Sequence, residues 1–151
     1  RLLPEVRVRW GYVRQRVELD DQTTVLDAVR EAAPHTPPSE LRNQLARFLI
    51  RGDSVHRPMV TLSGGERFRV VMAREILADP PPELLVLDEP TNNLDLASVN
   101  HLIAALCDYR GALLVVSHDR RFLAELELDL VVELQANGVL ERRDPAGFLG
   151  Q

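Results

Sequence analysis

Leu84-Leu85-Val86-Leu87-Asp88-Glu89-Pro90 decides the fold. Four apolar residues run into two carboxylates and a proline, and Pro80-Pro81-Pro82 fences the run on its other side. An apolar run of this length between prolines predicts a strand buried on both faces of a parallel sheet. Open α/β sheets receive ligands in the crevice at the carboxyl ends of their strands, which is where the two acids fall. A buried carboxylate is costly unless a cation or hydrogen-bond donors meet it. The pair therefore points to a site for a metal and a nucleotide.

Working outward, the loop Thr91-Asn92-Asn93-Leu94-Asp95 leads into a predicted helix reaching about Tyr109, with Val99, Leu102, Ile103 and Leu106 inward. Arg110-Gly111 then turns the chain into Ala112–Val116, a second apolar run read as a buried strand. Strand, helix and strand at this spacing make a βαβ unit with parallel strands and a right-handed crossover. That unit puts Asp88 and Ser117-His118 on the same edge of the sheet. Upstream, Thr61-Leu62-Ser63-Gly64-Gly65-Glu66 opens a long helix predicted to end near Asp79. Ser63 and Glu66 have the spacing of a capping box.

Residues 6 to 13 alternate apolar and polar, as in a half-exposed strand, and end at Arg14-Gln15. Thr23-Thr24 offers an N-cap for a short helix. A second helix runs from Ser39 to about Ile50, with Leu41, Leu45, Phe48 and Leu49 on one face and Arg42, Arg47 and Arg51 solvated. Past His118, a short helix (120–126) precedes two strands (128–134 and 139–142) joined by Asn137-Gly138, a hairpin-turn pair. No internal repeat or low-complexity segment is visible.

The 151 residues suffice for one domain with a core. No run of about 18 apolar residues occurs, so no transmembrane helix or direct membrane insertion is expected, and no signal-peptide pattern opens the chain. The single cysteine, Cys107, excludes an internal disulfide and suits a reducing compartment, so a cytoplasmic location is expected. A net charge of −5 gives no global basic field toward nucleic acid or membrane. All 18 basic residues are arginine and none is lysine.

Each motif has an ordinary reading. Leu62–Glu66 is a sound helix start, yet the same N–H groups and helix dipole bind anions, and glycines let phosphate approach the backbone. In the Asp88-Glu89 pair, the first acid can hold Mg²⁺ and the second can polarise an attacking water. His118 alone is an ordinary strand-end histidine, and Gln15 alone says almost nothing.

Their order and spacing say more. Gln15 is followed by Ser63 after 48 residues, by Asp88 after 25 more and by His118 after a further 30. This resembles the ATP-binding-cassette (ABC) ATPases over nearly the whole chain. Tyr12-Val13-Arg14-Gln15 resembles the Q-loop, Leu62–Glu66 the signature motif and Leu84–Glu89 the Walker B strand with its glutamate. Asn93-Leu94-Asp95 resembles the D-loop, and His118 the switch histidine.

Within that superfamily, Leu87–Asp95 and Ser117-His118-Asp119-Arg120-Arg121-Phe122-Leu123 look most like the ABC-F proteins. Those carry two tandem cassettes and include translation factors and ribosome-protection proteins for antibiotic resistance. Many of them read His where this chain has Asn93; the Asn-Asn form is similar to the second cassette of actinobacterial relatives. Glu66, in place of the Gln common in transporter signatures, points the same way. The 48-residue interval from Gln15 to Ser63 argues against the structural-maintenance-of-chromosomes group, which inserts a long coiled coil there.

The resemblance implies a truncated P-loop NTPase-type α/β cassette. Its parts are a strand and Q-loop (1–19), a helical subdomain with the signature (20–79), and the Walker B, D-loop, switch-histidine and C-terminal strand portion (80–151). It implies ATP and Mg²⁺ as ligands, a second cassette as partner, and the ribosome with its rRNA and tRNA as the place of action. Glu89 is then the general base or water-orienting carboxylate, and Asp88 holds Mg²⁺. Gln15 links metal and water to the helical subdomain, and His118 contacts the γ-phosphate. Ser63, Gly64, Gly65 and Glu66 complete the opposite cassette's site, with Asp95 working across the interface. No Gly-x-x-x-x-Gly-Lys-Ser/Thr occurs, and without lysine none is hidden in degenerate form. The expectation is a partial cassette, inactive alone, with apolar area exposed where the sheet lacks cover. Two other functions compete: the ATP-binding subunit of a membrane transporter, and a non-hydrolysing module lending its signature face to a partner's ATP.

Overall fold

Three short strands position everything that follows. In the computed structural model, which describes residues 8–13, 19–92 and 94–150, β1 (Trp10–Val13), β2 (Leu84–Asp88) and β3 (Ala112–Val116) form a parallel sheet. β2 lies in the middle, with Val86 opposite Tyr12 on one side and Leu114 on the other. The βαβ unit is present as expected, its crossover being α4 (Leu96–Cys107).

Successive side chains on a strand point to opposite faces. Gly11, Val13, Leu85 and Leu87 are buried; Val13, Leu85 and Leu87 share one core with Val70 and Met72 of α3 (Gly64–Ile76) and with Leu102 and Leu106 of α4. Full burial of one such leucine stabilises by roughly 1.5–3 kcal/mol. The opposite face is open: Trp10, Leu114 and Val116 are 63%, 53% and 54% exposed. This corrects the expectation of strands buried on both faces, because the core takes up only alternate residues. Asp88, on the open face, is exposed rather than buried.

β1 also reverses the phase that its sequence implies. The apolar members of the alternation, Trp10 and Tyr12, lie on the open side, while Gly11 faces α3. A Cβ at Gly11 would lie 2.7 Å from Glu75 Oε2 and 3.3 Å from a Leu85 methyl, so a side chain here would have to displace the end of Glu75 and crowd Leu85.

The helical region packs on the same core. α1 (Val25–Ala32) is capped by Thr24, whose hydroxyl accepts the Asp27 N–H. α2 (Pro38–Leu45) starts with Pro38 in the first turn, where a missing N–H costs nothing. It stops at Leu45, earlier than the pattern predicts. A 3₁₀ turn (Ala46–Phe48) and Leu49 with φ +60° redirect the chain, so Leu41, Leu45 and Phe48 are buried while Leu49 is only half-buried. α3 ends at Ile76, three residues short of the predicted Asp79.

Beyond β3, α5 (Arg120–Glu125) buries Phe122 and Leu123. β4 (Val131–Leu134) and β5 (Leu140–Arg143) pair antiparallel through the Asn137-Gly138 turn, with Gly138 at φ +81°. The unexpected α6 (Pro145–Leu149) starts with Asp144 accepting the Gly147 N–H at 2.9 Å, and Arg120 of α5 stacks on its Phe148.

Candidate functional site

The carboxyl ends of β2 and β3 bring Glu89 and His118 together. Glu89 leaves the strand with φ +48°, in the left-handed region that costs a non-glycine residue about 1 kcal/mol or more. Its N–H still donates to the Val116 carbonyl at 2.8 Å, which ties that turn to the end of β3. His118 Nδ1 donates to Glu89 Oε2 at 2.8 Å. The bond and the carboxylate charge hold the imidazole's pKa above its ordinary value. The His118 side chain is three-quarters exposed, so its other nitrogen is open to a ligand.

Asp88 ends β2 on the open face. Val86 lies opposite Tyr12 in the register, and Tyr12 Oη donates to Asp88 Oδ2 at 3.3 Å across the two strands. Asp119, next to His118, caps α5 by accepting the Phe122 N–H at 3.0 Å and so fixes where the histidine leaves the sheet. A groove of about 750 Å³ opens between α4 and α5, with Asn92, His118 and Asp119 on its wall.

The Ser63 loop forms a second group at the start of α3. The capping box is realised: Ser63 Oγ accepts the Glu66 N–H at 3.2 Å, and Glu66 Oε2 accepts the Ser63 N–H at 2.8 Å. A Cβ built on Gly64 meets nothing within 4 Å, so the space before this helix end is open. An exposed turn at a helix start, where the first N–H groups have no intrahelical partner, suits phosphate. Glu66 accepts a further bond from Arg57, and the Ser63 N–H with Arg57 keeps its carboxyl below the usual range despite some burial.

Asp95 is the N-cap of α4; its carboxylate accepts the Ser98 N–H at 2.7 Å, and the Ser98 hydroxyl first, then that N–H, depress its pKa, with a smaller contribution from the Arg69 charge. Arg69 belongs to α3, so the charge of the signature helix reaches the loop after Glu89. Arg67, also on α3, donates to the Leu19 carbonyl at 2.9 Å and to Asp21 at 2.6 Å, fastening that helix to the chain beyond β1. Gln15 and Asn93 lie outside the described residues.

Two clusters result. Asp88, Glu89 and His118 share the sheet edge, and Ser63, Gly64, Gly65 and Glu66 share the start of α3; among the described residues no hydrogen bond joins the two. Sequence reasoning missed Tyr12, Arg57 and Arg67 as bracing groups. Among the described residues no cluster of three or more His, Cys, Asp and Glu gathers as metal ligands. One exposed aspartate with phosphate oxygens does match how Mg²⁺ is held with nucleotides, so the donor set fits Mg-ATP rather than a protein-only metal cage.

The sequence profile described as ABC transporter matches residues 2–92. The chain is 42% identical over 130 residues to the ATP-binding protein YdiF of Bacillus subtilis (strain 168), covering 86% of this chain and 20% of that protein. It is 38% identical over 115 residues to human ATP-binding cassette sub-family F member 3, covering 75% of this chain and 16% of the relative. It therefore spans at most about a fifth of these curated relatives. Among solved structures, the ATP-binding subunit of an ABC transporter superposes with a TM-score of 0.75 at 20% identity, over 92% of this chain and 60% of that one. Among the described residues no helix is long and apolar enough to cross a membrane.

Proposed function

The chain belongs to the ABC transporter family of ATP-binding cassettes, and we propose from that premise that it serves an ABC-F-type ATPase that binds and hydrolyses ATP while acting on the ribosome. The observation that carries the hydrolytic part is the 2.8 Å bond between Glu89 and His118 beside an exposed Asp88. Similarity to a sub-family F protein and Glu66 in the signature position support the ABC-F assignment.

The roles are assigned from the matching motif positions, with the geometry as support. Glu89 keeps one oxygen on His118 and has the other for a water, so it acts as general base or water-orienting group. Asp88, steadied by Tyr12, supplies the carboxylate for Mg²⁺, which when bound neutralises phosphate charge. His118 presents its exposed nitrogen to the γ-phosphate. The Ser63 hydroxyl and the N–H groups of Gly64 and Gly65 are offered to the nucleotide of a second cassette, and Asp95 works across the interface between the two. Gln15 is assigned, from its place in the motif order alone, to link metal and water to the helical region. Residues 1–19, 20–79 and 80–151 divide these tasks as strand and Q-loop, helical subdomain, and catalytic edge. The described chain carries one portion of a cassette, and its location is cytoplasmic in this reading.

Co-sedimentation tests the assignment. The full-length protein is expected to pellet with ribosomes in the presence of ATP when Glu89 is replaced by Gln. Co-purification with membranes and no ribosome association would move the assignment to a transporter subunit. A role in antibiotic resistance is read from drug susceptibility on expression.

A further inference from the structure

The Ser63 loop is braced by a cation that no motif includes. Arg57 lies six residues before Ser63, just after the 3₁₀ turn Gly52–His56. Its backbone is pinned: the Arg57 carbonyl accepts the Val25 N–H at 3.1 Å, and Pro58 bridges to Thr24. From that anchor the guanidinium reaches both ends of the loop. Nη2 donates to the Thr61 carbonyl at 2.5 Å and Nη1 to Glu66 Oε1 at 2.9 Å. The other oxygen of Glu66 holds the Ser63 N–H. One side chain thus closes the turn from Thr61 to Glu66.

The electrostatics give this bridge a second consequence. A helix start attracts anions, and a carboxylate in its first turn competes for the same field. Glu66 stands in that turn, beside the N–H groups that face the open space before Gly64. Left alone, its charge opposes a phosphate arriving there; beside Arg57 the two charges offset each other. The pair is partly exposed, at 39% and 33%, so solvent weakens the effect without removing it.

We propose that Arg57 is a positioning residue of the nucleotide-contacting loop, fixing Ser63-Gly64-Gly65 through its bridge from Thr61 to Glu66 and cancelling the Glu66 charge toward the incoming phosphate. The proposal rests on the reading of that loop as a phosphate contact. An ordinary brace makes the same bonds, so the test turns on charge rather than on folding.

Equilibrium affinity for a fluorescent ATP analogue with Mg²⁺ is measured on the full-length protein carrying Glu89→Gln, with thermal melts alongside. Arg57→Gln is expected to weaken binding on the order of tenfold. Adding Glu66→Gln, which keeps an acceptor for the Ser63 N–H but removes the charge, is expected to restore affinity to within about twofold. Arg57→Lys, which keeps the charge but gives up the two-pronged bridge, is expected to bind more tightly than Arg57→Gln; equal loss in the two overturns the charge argument. A double variant as weak as Arg57→Gln, or an Arg57→Gln protein with unchanged affinity, also overturns it. Ser63→Asp separates the two levels, because it preserves the cap and adds a charge to the loop. If Ser63→Asp weakens binding and Arg57→Gln does not, only the Arg57 role falls. If neither does, the loop does not meet the nucleotide.

Discussion

Glu89 and His118 are joined through a 2.8 Å hydrogen bond although 29 residues separate them, because parallel pairing of β2 with β3 sets their strand ends side by side. The bond favours the imidazolium, and so the His118 pKa lies above its ordinary value in the folded protein. A raised histidine pKa contributes stability that is fully present below the unfolded value, near 6.5, and is lost as pH rises through the folded value. An NMR titration of the His118 ring is expected to give a pKa above about 6.5 that returns toward that value in Glu89→Gln. Identical titration curves for the two proteins would remove the pair from the account.

Asp88 is exposed, and the Tyr12 hydroxyl reaches its carboxylate at 3.3 Å, which leaves a solvent-facing carboxylate to meet a cation. Asp88→Asn is expected to lower Mg²⁺-dependent turnover of the full-length protein by about a hundredfold or more, while nucleotide binding without metal changes little. Equal loss of both would mean that the residue shapes the site rather than holds metal.

The open face of the sheet predicts a surface property of the 151-residue chain itself. Trp10, Leu114 and Val116 form an exposed apolar surface of the kind that binds dyes and associates. Leu114→Thr with Val116→Thr is expected to reduce binding of a hydrophobic dye and to shift the chain toward monomer on size exclusion. No change in either would place the adhesive surface elsewhere, the hairpin with exposed Leu134 and Leu140 being next.

Thr24 gives a stability test distant from the chemistry. Its hydroxyl caps α1 at the Asp27 N–H, and loss of such a cap costs about 1 kcal/mol. Thr24→Ala is expected to lower the denaturant midpoint accordingly, with Thr24→Ser close to wild type.

What was legible in the sequence was local or topological. Ser63 and Glu66 lie within one helical turn, so their spacing carries their geometry. Asp88 and His118 come together because a βαβ crossover leaves few choices. The phase of β1 was not legible: Trp10 and Tyr12 look like core, and the surroundings of Gly11 come from Glu75, Pro82 and Leu85, more than 60 residues away. Arg57 and Arg67 were hidden for a related reason, since arginines on a charged surface look alike until their partners at Thr61, Leu19 and Asp21 are in place. By contrast, Asp144-Pro145 carried an N-cap and a first-turn proline, a signal that marks α6 by rule.

The most direct test of the central claim is ATP turnover by the full-length protein beside its Glu89→Gln variant, with retained nucleotide measured after rapid gel filtration. The account predicts that turnover falls by about a hundredfold or more while ATP stays bound in a closed state. Turnover unchanged in Glu89→Gln would contradict it, because the carboxylate that His118 holds would then have no part in the reaction.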